Sequence, residues 1–392
     1  MKDKWVKHKI KDFGRILTGT TPSSKKKEFY GGSYKLISPK DLDRGKSIKT
    51  SHKLLTEEGI KVARTLPKNA VLVGCIGNIG KIGMTTDEVS AFNQQINAII
   101  CNENYDPDFI YYLVLYNRPI LVQASVKTTL PILNKSNFQE IELPTPGIFE
   151  QRRIAYVLST VQQAIELQDQ LIELTSELKK ALVHKLFTEG IKSEPKKMTE
   201  IGPIPESWTL VMFDKFTTLQ RGKDLTKKEF IKGEIPVAGA ISIIGYHNEA
   251  NVTGPGVTVT RSGSSAGKAT FYSNDFWAHN VVLYVKDFHG NHPKFCYYQL
   301  NNLKLEKYKS GVAVPTLNRN TFRSILVPVP SLEEQIKMTK ILDSIDDKLS
   351  VHKKKKKSLE SLFRTLLHKL MTAEISVSNL DFDTLEKSEA YA

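Results

Sequence analysis

The chain has 392 residues, 40% hydrophobic and 25% charged, enough apolar material for two or three folded domains rather than a disordered tract. Its 56 Lys and Arg against 42 Asp and Glu leave a formal charge of +14, which favours a polyanionic partner. Three scattered cysteines (Cys75, Cys101, Cys296) give neither a disulfide framework nor a zinc site, and no apolar run has leader or membrane-spanning length, so the expectation is a cytoplasmic protein with no membrane association.

Residues 1–145 read as a first domain of mixed, strand-rich α/β type. Short apolar stretches such as AVLVG from Ala70 and NAIIC from Asn97 alternate with Gly, Pro, Ser and Asn turns. Lys25 to Lys27, Lys40, Arg44, Lys46 and Lys81 sit in or beside the loops, where Lys and Arg can hold phosphates or read base edges; the plain alternative is solvated surface. Tyr30 and Tyr34 read as core rather than stacking platforms. The Gly-rich run ending at Lys81 is not a phosphate-cradling P-loop, because the glycine spacing is wrong and Ile82, not Ser or Thr, follows the lysine. It reads instead as a hairpin turn whose glycines let the backbone approach DNA closely.

Residues 146–188 follow as a long helix. Ile154, Val157, Val161, Ile165, Leu171, Leu174, Leu178 and Leu182 recur mostly at three- and four-residue steps, a seam pattern. A linker spans 189–206, and a second strand-rich domain spans 207–329, with VVLYV from Val281 as one strand. Its loop cations are Arg221, Lys223, Arg261 and Lys268, with Tyr246 and Trp277 read as core. A second long helix, 330–372, starts after Pro330 with Ser331 and Glu334 placed as a capping box, and its seam is Ile341, Ile345, Leu349, Leu359, Leu362 and Leu366. Lys353 to Lys357 interrupt that seam, either as a solvated stretch or as a phosphate- or partner-facing patch. Residues 373–392 form a tail. Each helix runs close to forty residues, or roughly 57 Å at about 1.5 Å per residue. Neither can bury its stripe on a small domain alone, so the two are expected to pack as an antiparallel coiled coil.

An internal repeat organises the chain. TLPILNKSNFQEIELPTPGIFEQRR from Thr129 matches AVPTLNRNTFRSILVPVPSLEEQIK from Ala313 without gaps. Pro131 pairs with Pro315, Leu133 with Leu317, Asn134 with Asn318, Phe138 with Phe322, and Gln151 with Gln335. His184, Lys185 and Leu186 still keep the register against His368, Lys369 and Leu370. Upstream the match needs gaps: Trp5 answers Trp208, Gly19 answers Gly222, Tyr112 answers Tyr298, and the run to Lys81 answers the run to Lys268. Each half therefore has a variable front and a near-constant back.

Signatures of catalysis are missing. There is no HExxH, G-x-S-x-G or G-x-G-x-x-G, the nine histidines do not cluster, and Pro107-Asp108 lacks a nearby Glu-x-Lys to complete a nuclease motif. The expectation is a non-enzyme with no metal and no cofactor of its own.

The chain resembles the specificity subunits of Type I restriction–modification systems over nearly its whole length. The resemblance rests on GTTPS from Gly19 with EFYGG and ISPKDL, on LPTPGIFEQRRIAYVL with its counterpart VPVPSLEEQIKMTKIL, and on MTEIGPIPESW from Met198. It implies that each front is a target recognition domain reading half of a split, asymmetric DNA site. The helices would space the halves and dock DNA adenine methyltransferase subunits. S-adenosylmethionine, ATP and magnesium would act on partner subunits, including motor-nuclease subunits. The second copy departs from the pattern, with QRGKDL and IPVAGA in place of GTTPS and ISPKDL. Two other readings stand beside this one: a self-contained endonuclease or methyltransferase with degenerate motifs, and a scaffold joining two protein-binding modules.

Overall fold

A computed structural model describes residues 5–126, 129–310 and 316–377; Ala313, Pro315 and most of the expected tail lie outside them. Four helices organise the chain: α1 (Pro107–Tyr116), α2 (Ile148–Glu189), α3 (Pro293–Asn302) and α4 (Leu332–Met371). α1 starts where Asp106 accepts a hydrogen bond from Phe109 N (2.9 Å) and Pro107 fills the first turn, where no N–H is needed. α2 ends at Gly190, whose φ of +68° places it in the left-handed region that favours glycine after a helix.

Two compact units divide the chain: residues 1–170 with 354–392, and residues 171–353. In the first, β1 (Gly14–Thr18), β2 (Val71–Gly74), β3 (Ile82–Thr85) and β4 (Ile96–Cys101) form a sheet in the order β1-β4-β2-β3, extended by a parallel strand at Ser47–Ile48. β2 and β3 are buried along their whole length, which is why β2 reads as an unbroken apolar run, whereas β3 ends on the buried Thr85. A smaller sheet pairs Tyr30–Ile37 antiparallel with Leu54–Leu55 and parallel with Ser90–Phe92. α1 lies buried between the larger sheet and the helices, with Phe109, Tyr112 and Leu113 in one core with Leu158 of α2 and Leu370 and Met371 of α4.

The second unit repeats this plan. β5 (Thr218–Arg221), β6 (Gly256–Thr260), β7 (Ala269–Tyr272) and β8 (Val282–Asp287) take the order β5-β8-β6-β7, and a smaller sheet again mixes antiparallel and parallel pairing, here with three strands where the first unit has four. Phe295 and Leu300 of α3 join Leu186 and Phe187 of α2 and Met338 and Leu342 of α4 in its core. In both units the entering strand pairs with the strand that precedes a long helix: Val6–Lys9 with Glu142–Thr145, and Thr209–Met212 with Leu326–Val329. The expected linker contains a hairpin, Lys196–Thr199 against Gly202–Pro205.

The long helices pair antiparallel. In the first unit Asp169 of α2 meets Lys356 of α4, and in the second Lys179 meets Asp346, ten residues on in one helix and ten back in the other. The seam is narrower than its spacing predicts. Ile154, Ile345 and Leu349 are buried, whereas Leu174, Leu178, Ile341 and Leu362 are exposed. A two-helix contact buries only a thin stripe, and the ends of each helix turn their apolar residues to a domain core instead. Two local readings also change. Ser331 accepts from Glu334 N at 3.4 Å, but the Glu334 carboxylate does not return to Ser331; it accepts from Ile191 N (3.1 Å), tying α4 to the segment after α2. Tyr246, expected in the core, is exposed.

Candidate nucleic-acid interface

The loops that follow equivalent strands gather at one place in each unit. After β1, Gly19 N donates to Ile96 O (3.2 Å) and Thr20 N to Phe92 O (2.9 Å); after β5, Gly222 N donates to Val282 O (3.1 Å) and Lys223 N to Ala278 O (2.9 Å). A Cβ on Gly19 would lie 2.2 Å from Asn93 O, and one on Gly222 2.2 Å from His279 O. No side chain fits either position, and this close approach is what the repeated glycine secures.

The Gly-rich runs are the turns between β2 and β3 and between β6 and β7. Gly74 N donates to Lys81 O (2.7 Å) and Thr260 N to Lys268 O (2.9 Å), closing the two turns alike. Gly77, Gly80, Gly263 and Gly267 all have positive φ. Behind each turn lies the constant segment: Leu133 N donates to Cys75 O (2.9 Å) and Leu317 N to Arg261 O (2.8 Å). The near-constant stretch of sequence therefore backs the variable loop and holds it still.

In the first unit the turns surround a cleft of about 510 Å³ with Leu36, Ile76 and Leu130 on its walls and Lys40, Asn78 and Gln95 among its polar groups. Lys81 sits beside it, its ammonium 3.4 Å from Pro39 O. Arg44 lies apart, near His52 Nε2 (3.3 Å), in a notch it shares with Glu166 and Asp169. Asp41 anchors that loop: burial raises its pKa, but hydrogen bonds from His52 and Ser38 outweigh burial, and the carboxyl is held below its ordinary value. Lys46 departs from the set. Its ammonium is enclosed between Asp108 (2.8 Å) and Ser159 of α2 (2.8 Å), over the Tyr112 ring, so it joins loop to helix rather than facing outward.

In the second unit Arg221 Nε and Arg261 Nη1 both donate to Asn280 O at 3.4 Å, so these two cations are brought together. Lys223 is exposed beside Trp277, whose indole N–H donates to Lys223 O (3.4 Å). Lys268 faces elsewhere, into a cleft against α2. The amides Asn78 and Gln95 were not singled out from sequence; only their place in turns marked them, and turn residues are common. Among the described residues no group of His, Cys, Asp and Glu could hold a metal ion, and no helix is long and apolar enough to cross a membrane.

One α/β plan built twice, with unlike polar groups on like loops, is the arrangement of a tandem recognition protein. The chain belongs to the Type I restriction modification DNA specificity domain family, whose model matches residues 2–176 and again 205–361. It is 25% identical to the Type I restriction enzyme MjaVIII specificity subunit of Methanocaldococcus jannaschii, covering 96% of this chain and 94% of that one. The MjaIX specificity subunit of the same organism is 30% identical over 59% of this chain and 56% of its own length. The crystal structure of a Type-I restriction-modification system S subunit from M. genitalium shares the fold, with a TM-score of 0.67 at 21% identity, over 93% of this chain and 96% of that one. The chain is thus a non-catalytic DNA-recognition subunit, and the reading as a stand-alone enzyme has no support.

Proposed function

We propose that each unit reads one half of a bipartite, asymmetric DNA site with the loops that follow its sheet strands, while α2 and α4 set the spacer and dock DNA adenine methyltransferase subunits. The observation that carries this is the pairing of equal scaffolds with unequal tips. Gly19 and Gly222 hold the same backbone approach, yet Lys40, Asn78 and Gln95 line one tip and Arg221, Lys223 and Arg261 the other. Amides and guanidinium groups are the side chains that read adenine and guanine edges in the major groove, so unlike tips select unlike half-sites. Methyl transfer from S-adenosylmethionine, and ATP- and magnesium-dependent translocation and cleavage by motor-nuclease subunits, belong to partners acting in the cytoplasm.

The test is a domain exchange. Replacing residues 1–145 by the front of another specificity subunit, in a complex reconstituted with methyltransferase subunits, should change one half of the methylated motif and leave the other intact. A swap that alters both halves, or neither, sinks independent recognition. The chain purified alone should show no nuclease, methyltransferase or ATPase turnover.

A further inference from the structure

The second unit holds a cleft of about 740 Å³ between the turn that ends at Lys268 and the C-terminal half of α2. That volume is within the range of about 300–1,000 Å³ typical of ligand sites. Four lysines and a histidine line it: Lys179 and Lys180 with His184 from α2, Lys268 from the turn, and Lys304 just after α3. No carboxylate lines it. Lys179 is taken, paired with Asp346 and lying over the Tyr298 ring, whereas Lys180, Lys268 and Lys304 have exposed side chains.

These like charges are built into place. Asn301 Oδ1 accepts from Ala269 N (3.0 Å) and its Nδ2 donates to Ala269 O (3.3 Å), fixing the residue after Lys268 against α3. Gly267, at φ +98°, lies so close that a Cβ would meet Glu306 N at 2.5 Å, which brings the turn against the segment that carries Lys304. Lys304 itself adopts φ +50°, a left-handed conformation uncommon for a lysine. Lys180 and His184, four residues apart, share one face of α2. Holding cations together without an anion is unfavourable, and a bound phosphate reverses the sign of that interaction.

The first unit is built differently at the same turn. There Gly80 rests on the Arg118 side chain, Arg118 pairs with Asp43, and the Lys81 ammonium bends to Pro39 O. Both cations at that turn, Arg118 and Lys81, have a partner within the fold.

We infer that the spacer helix takes part in holding DNA: Lys180 and His184 of α2, with Lys268 and Lys304, form a phosphate-binding cleft for the DNA backbone beside the half-site read by the second unit. The inference rests on the proposed DNA reading and adds a contact from the helix to it. A backbone diester suits the cleft better than a free nucleoside triphosphate, because the magnesium such a ligand carries would need the carboxylate oxygens that the lining lacks. Arg261 lies at the other end of the same turn, so one turn connects the cleft to the loops proposed to read the half-site.

The full chain carrying K180Q, K268Q and K304Q tests this, with a random-sequence 40-base-pair duplex titrated across a salt series. Gln keeps most of each side chain, and a control chain carries K215Q and K232Q on exposed positions outside the cleft. Each lost phosphate contact lowers the slope of log affinity against log salt by about 0.9, so the triple variant should lose roughly 2–3 slope units and the control almost none. K304R should retain the wild-type slope. A triple variant with an unchanged slope overturns the inference while leaving the DNA reading standing. Thermal stabilisation of the wild type by ATP without DNA, abolished in the triple variant whose DNA slope is unchanged, would assign the cleft to a free nucleotide and also overturn it. A wild-type chain that binds no duplex at all would overturn the DNA reading together with the inference.

Discussion

Gln151 and Gln335 show why one residue type recurs at equivalent positions. Gln151 Nε2 donates to Pro146 O (2.9 Å) and its Oε1 accepts from Asp106 N (3.0 Å); Gln335 Nε2 donates to Pro330 O (3.0 Å) and its Oε1 accepts from His292 N (2.8 Å). Both are buried, at 1% and 2% exposure, so water cannot replace them. Each clamps the start of a long helix to the start of the short helix under the sheet. Gln151→Ala or Gln335→Ala leaves a buried donor and acceptor without partners, a loss of about 1–3 kcal/mol each. Denaturant unfolding should show it, and a change within error would deny the clamp. Gly19→Ala and Gly222→Ala should each destabilise by about 1–3 kcal/mol or more, because the neighbours that a Cβ would strike are backbone carbonyls at the ends of paired strands. The thiols give a chemical test. Burial pushes Cys75 up to about 11 and Cys101 up to about 12, with nearby Asp106 and Asp108 adding to the latter, and pushes Cys296 higher still. Since the thiolate is the reactive form, maleimide at pH 7.5 should label the native chain at least roughly 100-fold more slowly than the unfolded chain. Rapid native labelling, read by mass spectrometry, would contradict these environments.

Among the elements, the long helices were legible and their partners only in part. Pro330 and the apolar steps marked their ends to within a few residues, because caps and breakers act locally. The seam was over-read at Leu174, Leu178 and Leu362 since a spacing of three and four residues marks a helix face without saying what covers it. The pairs Asp169–Lys356 and Lys179–Asp346 supply the register that spacing could not. They also say where to cut. A seven-residue insertion after Leu171, matched by one after Lys354, keeps a 3.5-residue seam in phase and lengthens each helix by about 10 Å. If the helices set the distance between half-sites, the methylated motif should gain roughly three base pairs of spacer at about 3.4 Å each, with both half-sites unchanged. A folded variant that keeps the original spacer shows that something else measures it.

For the whole molecule, the repeat carried most of the fold. Residues repeated without gaps back the turns and clamp the helices, while the strands between them, which diverge, still reach the same sheet order. The candidate interface was less legible. Lys40, Lys81, Arg221 and Arg261 fall at the strand-end loops, but Lys46 had no sequence feature to separate it from them, since only Asp108 and Ser159, far along the chain, reveal that its charge is used internally. Lys180 and His184 were invisible for the opposite reason: on a helix read as a spacer, a charged pair looks like a solvated face.

The first unit includes residues 354–371 of α4, among them Phe363, Leu370 and Met371 packed into its core. A segment made earlier than the second unit is thus completed by one made after it. Between residue 170 and the end of α4 the ribosome adds about two hundred residues, which takes roughly 10–40 s at about 5–20 residues per second. During that interval the second unit gains every residue it needs, while the first waits with an uncovered apolar flank. In order of synthesis the first unit is therefore the later of the two to mature, and a chain truncated after Lys353 and released from the ribosome should present a finished second unit and a chaperone-dependent first.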